Sequence, residues 1–249
     1  MFISVITVNY NDKVGLQGTV DSVLDQDFSD FEYIIIDGGS TDGSLDIIQS
    51  AEDRISHWSS GTDENIADAF NKGIKAANGD YILLLNAGDE FISTNDLTRC
   101  ASKLDKAVVA FYGQYKDTRW RIPRQFAEKS TNLRQLAQLS HQATFVARQV
   151  YEDYGYYNLD YPVRMDYEFF LRVLPKVEIK FVEEVICVYD TGGQSGKPSF
   201  AWKFVKEGLL AEDRHLGPIR FQQLKLIWGS LILSIKLLIR PLVMKWRAR

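Results

Sequence analysis

Three short polar clusters hold residue types that could grip a polar, phosphate-bearing ligand. They are Asn9-Tyr10-Asn11-Asp12, Asp37-Gly38-Gly39-Ser40-Thr41-Asp42 and Asn86-Ala87-Gly88-Asp89. Their small residues let a ligand approach the backbone, and their polar side chains can hydrogen-bond it. Any one of them also reads as ordinary turn and cap chemistry, because Gly, Asn, Asp and Ser fill turns everywhere. What tells for a site is their shared placement, each directly after a strand-like run. Neither common phosphate loop, GxGxxG nor GxxxxGK[ST], occurs. Gly192-Gly193-Gln194-Ser195-Gly196-Lys197 imitates the second, but it is one residue short and Pro198 follows it. A phosphate ligand would then depend on a divalent cation, Mn²⁺ or Mg²⁺. Asp89 is the carboxylate placed to take a hard cation.

The elements that must position these clusters alternate along the first half of the chain. Phe2–Val8, Tyr33–Ile36 and Tyr81–Leu85 are short, apolar on both faces and rich in β-branched or bulky residues, as buried parallel strands are. Ile55–Trp58 reads as a shorter strand. Val14–Leu24, Ser44–Gln49 and Asn65–Ala77 have helical spacing. Thr41 or Asp42 would cap the second helix, and Asn78-Gly79 would end the third. This order predicts an α/β fold with a mostly parallel central sheet flanked by helices. In such a sheet, ligands bind beyond the carboxyl ends of the strands, where the three clusters lie. Further on, the pattern predicts strands at Ala107–Phe111, Gly113–Lys116, Ala143–Val146, Glu178–Val182 and Val185–Tyr189. Helices are predicted at Leu133–Leu139, Arg148–Tyr154, Arg164–Leu174, Phe200–Leu216 and from Phe221 to the end.

With 249 residues, 45% hydrophobic and 25% charged, the chain has globular composition, which excludes disordered and low-complexity classes. A net charge of −4 argues against a nucleic-acid partner. Cys100 and Cys187 lie far apart, which excludes a CxxC metal or redox site and a secreted disulfide framework. The chain opens on a strand-like run with no basic leader, which predicts a cytoplasmic location. No repeat and no Pro- or Ser-rich linker divides it. The expected organisation is one domain over 1–216 followed by an extension over 217–249.

Several segments, taken in order, resemble family 2 of the inverting nucleotide-sugar glycosyltransferases, which have the GT-A fold. They are Ser4 to Asn11, Ile36 to Gly43, Asp68-Ala69-Phe70-Asn71-Lys72-Gly73-Ile74, Gly79 to Asp89, and Asp166-Tyr167-Glu168-Phe169-Phe170-Leu171-Arg172. The variant with Asn86-Ala87-Gly88-Asp89 is similar to enzymes that build bacterial exopolysaccharide and O-antigen units. The resemblance implies a UDP- or GDP-sugar donor, a lipid-linked glycan acceptor and a divalent metal, with a nucleotide-sugar half over about 1–112 and an acceptor half over about 113–199. It implies that Thr7, Asn9 and Tyr10 line the nucleoside pocket and that Asp37, beside Gly39, meets the base. Asp68, Asn71, Asn86, Ala87 and Gly88 would face the nucleotide-sugar, Asp89 the metal, and Asp166 would be the catalytic base. The chain departs from the family pattern in places. Asn86 replaces a carboxylate, Gly38 replaces a frequent second Asp, and Tyr189-Asp190-Thr191-Gly192-Gly193 lacks a His that touches metal in many relatives.

Inverting transfer needs a base for the acceptor hydroxyl and a group that steadies the leaving diphosphate. On the helix Arg164–Leu174, Asp166 and Glu168 stand about 200° apart, so they cannot serve one site. Glu168 lies four residues before Arg172, the favourable spacing for a surface ion pair. By position alone Asp166 reads first as a first-turn Asp favoured by the helix dipole; the resemblance assigns it to catalysis. His141 matches a segment near acceptor or sugar in relatives, and it also fits a hydrogen-bonded, partly buried His. Tyr151, Tyr154, Tyr156, Tyr157 and Tyr161 could stack on a sugar or fill the core. Arg119, Arg121 and Arg124 could hold a phosphate or face solvent.

The stretch from Leu224 to Trp246 is apolar but interrupted, too short between charges to span a bilayer. Lys225, Lys236, Arg240 and Arg247 fall within a sector of about 60° on a helical wheel. Pro241 would kink the helix. This pattern predicts an interfacial helix on an anionic membrane, at the inner face. The alternative is packing on the domain or on a second copy in a homodimer. From Arg214 onward there are eight basic residues and no Asp or Glu, so the net charge of −4 conceals an acidic body and a basic tail.

Overall fold

The computed structural model describes residues 2–116, 121–122, 132–189 and 201–218. The chain divides into two units, Met1–Thr191 and Gly192–Arg249. The helix Ala201–Leu216 lies in the second unit.

The first unit begins as the alternation predicts. Strand β1 (Ile3–Asn9) is buried along its whole length. Helix α1 (Lys13–Leu24) starts where the Asp12 side chain accepts from the Gly15 N–H, and it buries Leu16, Thr19, Val20 and Val23. Strand β2 (Phe31–Asp37) leads to α2 (Ser44–Ser50), β3 (His57–Ser60), α3 (Ile66–Ala76) and β4 (Tyr81–Leu84). The four strands pair in parallel in the order β3-β2-β1-β4. Helix α3 lies close on β1. A Cβ at Gly73 would stand 2.4 Å from Ile6 Cγ2, so only hydrogen fits between helix and strand.

Two local details differ from the sequence reading. The N-cap of α2 is Gly43 at φ 92°, and Asp42 acts from one residue outside, accepting from the Ser44 N–H at 3.0 Å and the Ser44 hydroxyl at 2.6 Å. Strand β3 is His57–Ser60 rather than Ile55–Trp58, and its register sets Ser60 beside Asp37.

The later elements are β5 (Glu90–Phe91), α4 (Asp96–Ala101), β6 (Val108–Tyr115), β7 (Arg121–Ile122), α5 (Leu133–Leu136), β8 (Thr144–Ala147), α6 (Arg148–Tyr154), α7 (Met165–Val173) and β9 (Ile179–Tyr189). The sheet continues past β4 as β8-β6-β9-β5, with β7 on β6. Strand β8 runs antiparallel to both β4 and β6, and β9 returns parallel to β6. Two predicted pairs of strands fuse. Strand β6 runs unbroken through the expected boundary at 112, its irregularity absorbed as a register shift near Tyr112. The polar Glu183-Glu184 step does not break β9, because Glu184 pairs with Arg99 at 3.0 Å and Lys103 at 3.0 Å. One face of the sheet packs Val5, Leu16, Val20, Tyr33, Ile35, Leu83, Phe111 and Phe145 into a continuous core. The described part of the second unit is α8 (Ala201–Leu216) and the two residues after it. Among the described residues no helix is long and apolar enough to cross a membrane.

Candidate active site

The first two polar clusters meet at the carboxyl ends of β1 and β2, and the Asp37 carboxylate is their hub. Its Oδ1 accepts from Asn9 Nδ2 at 2.8 Å and Ser40 Oγ at 2.5 Å. Its Oδ2 accepts from Gly39 N at 3.1 Å, Ser40 N at 2.9 Å and Ser60 Oγ at 2.6 Å. Burial pushes the carboxyl up, but these donors outweigh it and hold it below the usual carboxylate range. Asn11, at φ 49°, donates its N–H to Ser40 Oγ and accepts from the Thr41 N–H, stitching the loops together. Asp37 is fully buried, so its contacts are with the chain itself and it holds the loops from beneath. Above it, Tyr10 is 62% exposed and lies against Gly38, where a Cβ would meet Tyr10 Cδ2 at 3.1 Å. Asn9 Oδ1 is buried and has no hydrogen-bond partner.

Three more expected pocket residues bond within the chain. Thr7 is fully buried and accepts from the Tyr33 hydroxyl at 3.1 Å, within the core. Asn71 exchanges both hydrogen bonds with the Tyr157 backbone, each at 2.9 Å, so it ties α3 to the segment before α7. Asp68 accepts from the Glu64 N–H and pairs with Lys72 at 3.0 Å. Burial raises its pKa, but Lys72 and that N–H bring it below the usual value.

The third cluster forms a tight turn, with the Asp89 N–H on the Asn86 carbonyl at 3.0 Å and Gly88 at φ 93°, a region L side chains rarely adopt. The Ala87 N–H bonds the Val8 carbonyl at 3.0 Å, fixing the turn to the end of β1. From α1, Thr19 Oγ1 accepts from Gly88 N at 2.9 Å and donates to the Asp89 carbonyl at 2.7 Å. Thr19 and Ser60 are supports that sequence reasoning missed. Each is a lone hydroxyl whose value depends on what lies across from it.

Asp166 and His141 join this turn. His141 heads the 3₁₀ turn before β8, and its Nδ1 lies 3.5 Å from Asp166 Oδ2. Its Nε2 lies 3.4 Å from Asn86 Nδ2. Asp166 Oδ1 also accepts from the Tyr167 N–H at 2.7 Å. Burial pushes the Asp166 carboxyl up, while His141, Arg164 and that N–H overcome it and hold it low. Glu168 turns away from the cleft, as the helical spacing predicts, but its pair with Arg172 is buried rather than on the surface. The Glu168 side chain is 2% exposed, and Arg172 meets it at 3.1 Å while also donating to the carbonyls of Tyr154, Gly155 and Tyr156. Of the tyrosines, Tyr151, Tyr157 and Tyr161 are buried, and the Tyr151 ring stacks on Phe169 at 4.8 Å, so they form core.

Asn86 and Asp89 supply the side-chain oxygens of the turn. Asp89 is 4% exposed, and its charge, after burial, is the next cause that raises the Cys187 thiol. Asn86 Oδ1 is buried without a hydrogen-bond partner. Among the described residues no group of three His, Cys, Asp or Glu converges as a metal site. One carboxylate and one amide oxygen suit Mg²⁺ or Mn²⁺ arriving with phosphate oxygens and water. The glycine-rich stretch from Gly192, Asp190, Arg119, Arg124 and the stretch from Leu224 lie outside the described residues.

Parallel strands ending in polar loops, an antiparallel strand beside them and a helix, α7, that brings Asp166 to the same edge make up the GT-A fold. Residues 4–153 match the glycosyl transferase family 2 model, and the chain belongs to that family and is a glycosyltransferase. Over 198 residues it is 32% identical to an uncharacterized glycosyltransferase of Mycobacterium tuberculosis, covering 77% of this chain and 76% of that one. Over 264 residues it is 28% identical to a PGL/p-HBAD biosynthesis glycosyltransferase of Mycobacterium bovis, covering 99% and 97%. The fold matches that of S. aureus TarS 1–349 in complex with UDP-GlcNAc, with TM-score 0.71, 17% identity and coverage of 95% and 73%. It also matches the mannosyltransferase PcManGT from Pyrobaculum calidifontis in complex with GDP-Man and Mn²⁺, with TM-score 0.68, 16% identity and coverage of 88% and 65%.

Proposed function

We propose that this glycosyltransferase moves a sugar, with inversion, from a UDP- or GDP-sugar to a hydroxyl of a lipid-linked glycan during assembly of a bacterial surface polysaccharide. The observation that carries the reading is Asp166 facing the Asn86–Asp89 turn across one imidazole. Asp166 is held ionised, so it can accept the proton of an acceptor hydroxyl. As that proton leaves, the hydroxyl oxygen bonds the anomeric carbon from the face opposite the diphosphate. The bond from that carbon to the diphosphate oxygen breaks, and the nucleoside diphosphate departs. Asp89, with Asn86 beside it, would hold a divalent cation that stabilises charge on the departing diphosphate. Tyr10, Gly39 and Asn9 would bound the nucleoside end, with Asp37 beneath and Asp68 at the rim. Two bound neighbours support the donor class, since TarS carries UDP-GlcNAc and PcManGT carries GDP-Man with Mn²⁺. The basic, apolar pattern from Lys225 to Arg247 supports a lipid-linked acceptor met at an anionic membrane surface.

The test is a thermal-shift screen of nucleotide-sugars with Mn²⁺, followed by hydrolysis and transfer assays on the donor that stabilises the fold. Asp166→Asn should lose about a hundredfold or more in rate and still bind donor; Asp89→Ala should lose the chelator-sensitive rate. Unchanged rates in both variants would sink the reading. A chain ending at Leu216 should no longer co-sediment with anionic vesicles; equal co-sedimentation would dismiss the membrane role.

A further inference from the structure

We propose that His141 is a positioning residue coupling the Asp166 carboxylate to the Asn86 amide, and that position 86 carries an amide because this imidazole needs a hydrogen donor there. The inference rests on the proposed role of Asp166 as base.

The ring is gripped on three sides. Its Nδ1 faces Asp166 Oδ2 at 3.5 Å, and its Nε2 faces Asn86 Nδ2 at 3.4 Å. Phe70, fully buried on α3, meets the ring edge-to-face at 5.4 Å with planes 70° apart. The imidazole is only 12% exposed, so it cannot swing out without leaving all three. Neither polar contact is a closed hydrogen bond, and His141 Nδ1 is buried without a hydrogen-bond partner, as catalytic contacts in an unliganded site often are.

The proton assignment follows from the partners. A neutral imidazole has one N–H and one lone pair. Ionised Asp166 can only accept, so the N–H belongs on Nδ1. Nε2 then presents a lone pair, which needs a donor opposite it. The Asn86 NH₂ supplies one, and a carboxylate would not. Turning the NH₂ toward His141 points Asn86 Oδ1 the other way, and Oδ1 is the buried acceptor with no partner in the chain. One ring therefore fixes the rotamer of the base and decides which end of the Asn86 amide is left for the donor substrate. Asn86 and His141 form a matched pair. A carboxylate at position 86 would set a second anion on the imidazole and compete with Asp166 for its N–H.

The experiment has two arms on the full chain. ¹⁵N NMR of the imidazoles, with His141 assigned by its substitution, should place the proton of the neutral ring on Nδ1 without any donor. An Nε2–H tautomer overturns the proposal. In the kinetic arm, hydrolysis of UDP-GlcNAc and of GDP-mannose is followed with Mn²⁺. His141→Phe keeps the ring and its contact with Phe70 but removes both nitrogens. It should lower kcat by about tenfold to a hundredfold, with the donor KM held within about twofold. His141→Gln, which can donate to Asp166 and accept from Asn86, should recover most of that loss. Asn86→Asp should lower kcat although it adds a carboxylate beside Asp89. Wild-type kcat in His141→Phe, equal damage in Phe and Gln, or a gain in Asn86→Asp refutes the coupling. An inactive Asp166→Asn beside a fully active His141→Phe refutes the positioning role alone. A fully active Asp166→Asn instead removes the base, and with it the reading on which the coupling rests.

Discussion

Asp37→Asn changes one atom at the centre of the nucleotide edge, and its cost can be worked from the five donors that meet there. Three converge on Oδ2, from Gly39 N, Ser40 N and Ser60 Oγ, and two on Oδ1, from Asn9 Nδ2 and Ser40 Oγ. An asparagine keeps its oxygen on the three and turns its NH₂ toward the two, where donor meets donor. A hydrogen bond to a charged group contributes about 1.5–3 kcal/mol, so losing two costs about 3–6 kcal/mol. The Ser40 hydroxyl can rotate away, which brings the value toward about 3 kcal/mol. For a chain of 249 residues, each kcal/mol lowers Tm by about 2–4 °C, giving a fall of about 6–12 °C. Differential scanning fluorimetry near pH 7 measures it. The pH dependence adds a sign. The folded carboxyl is held below its unfolded value, so its stabilisation is present above the unfolded pKa of about 3.9 and is lost as pH falls through the folded value. The gap between wild type and Asp37→Asn should therefore hold from neutral pH down to about 5 and close in stronger acid. A Tm within about 2 °C of wild type at pH 7, or a gap that widens in acid, would refute the hub.

Two further substitutions probe the frame around the site. Arg172→Met removes the guanidinium from Glu168, whose side chain is 2% exposed, and should cost about 3–5 kcal/mol; urea unfolding with an unchanged midpoint would contradict it. Gly73→Ala drives a methyl to 2.4 Å from Ile6 Cγ2 and should cost about 1–3 kcal/mol, whereas Gly61→Ala, with nothing within 4 Å, should be near neutral. Equal midpoints for the two glycine variants would show that α3 does not press on β1.

How much was legible in the residues differs along the chain. Local pattern determined β1, α1, β2, α3 and β4 to within a residue or two, because burial on both faces and helical spacing are properties of a segment alone. The same pattern put the three polar clusters at one edge, since parallel strands joined by helices must all end on the same side. It separated Asp166 from Glu168, because two residues on a helix diverge whatever lies around them. It did not reveal that β6 and β9 are continuous, since the step at Glu183-Glu184 is held by Arg99 and Lys103 from another element.

Tertiary structure decided what each polar residue touches. Asp37, Asn71 and Thr7 each bond within the chain, to Ser60 and Ser40, to the Tyr157 backbone and to Tyr33. His141 lies 55 residues from Asn86, and only the insertion of β8 beside β4 brings them together. Periodicity fixes the face on which a side chain stands. A hydrogen bond needs the partner's position to within a few tenths of an ångström, and that is set by packing between segments distant in sequence.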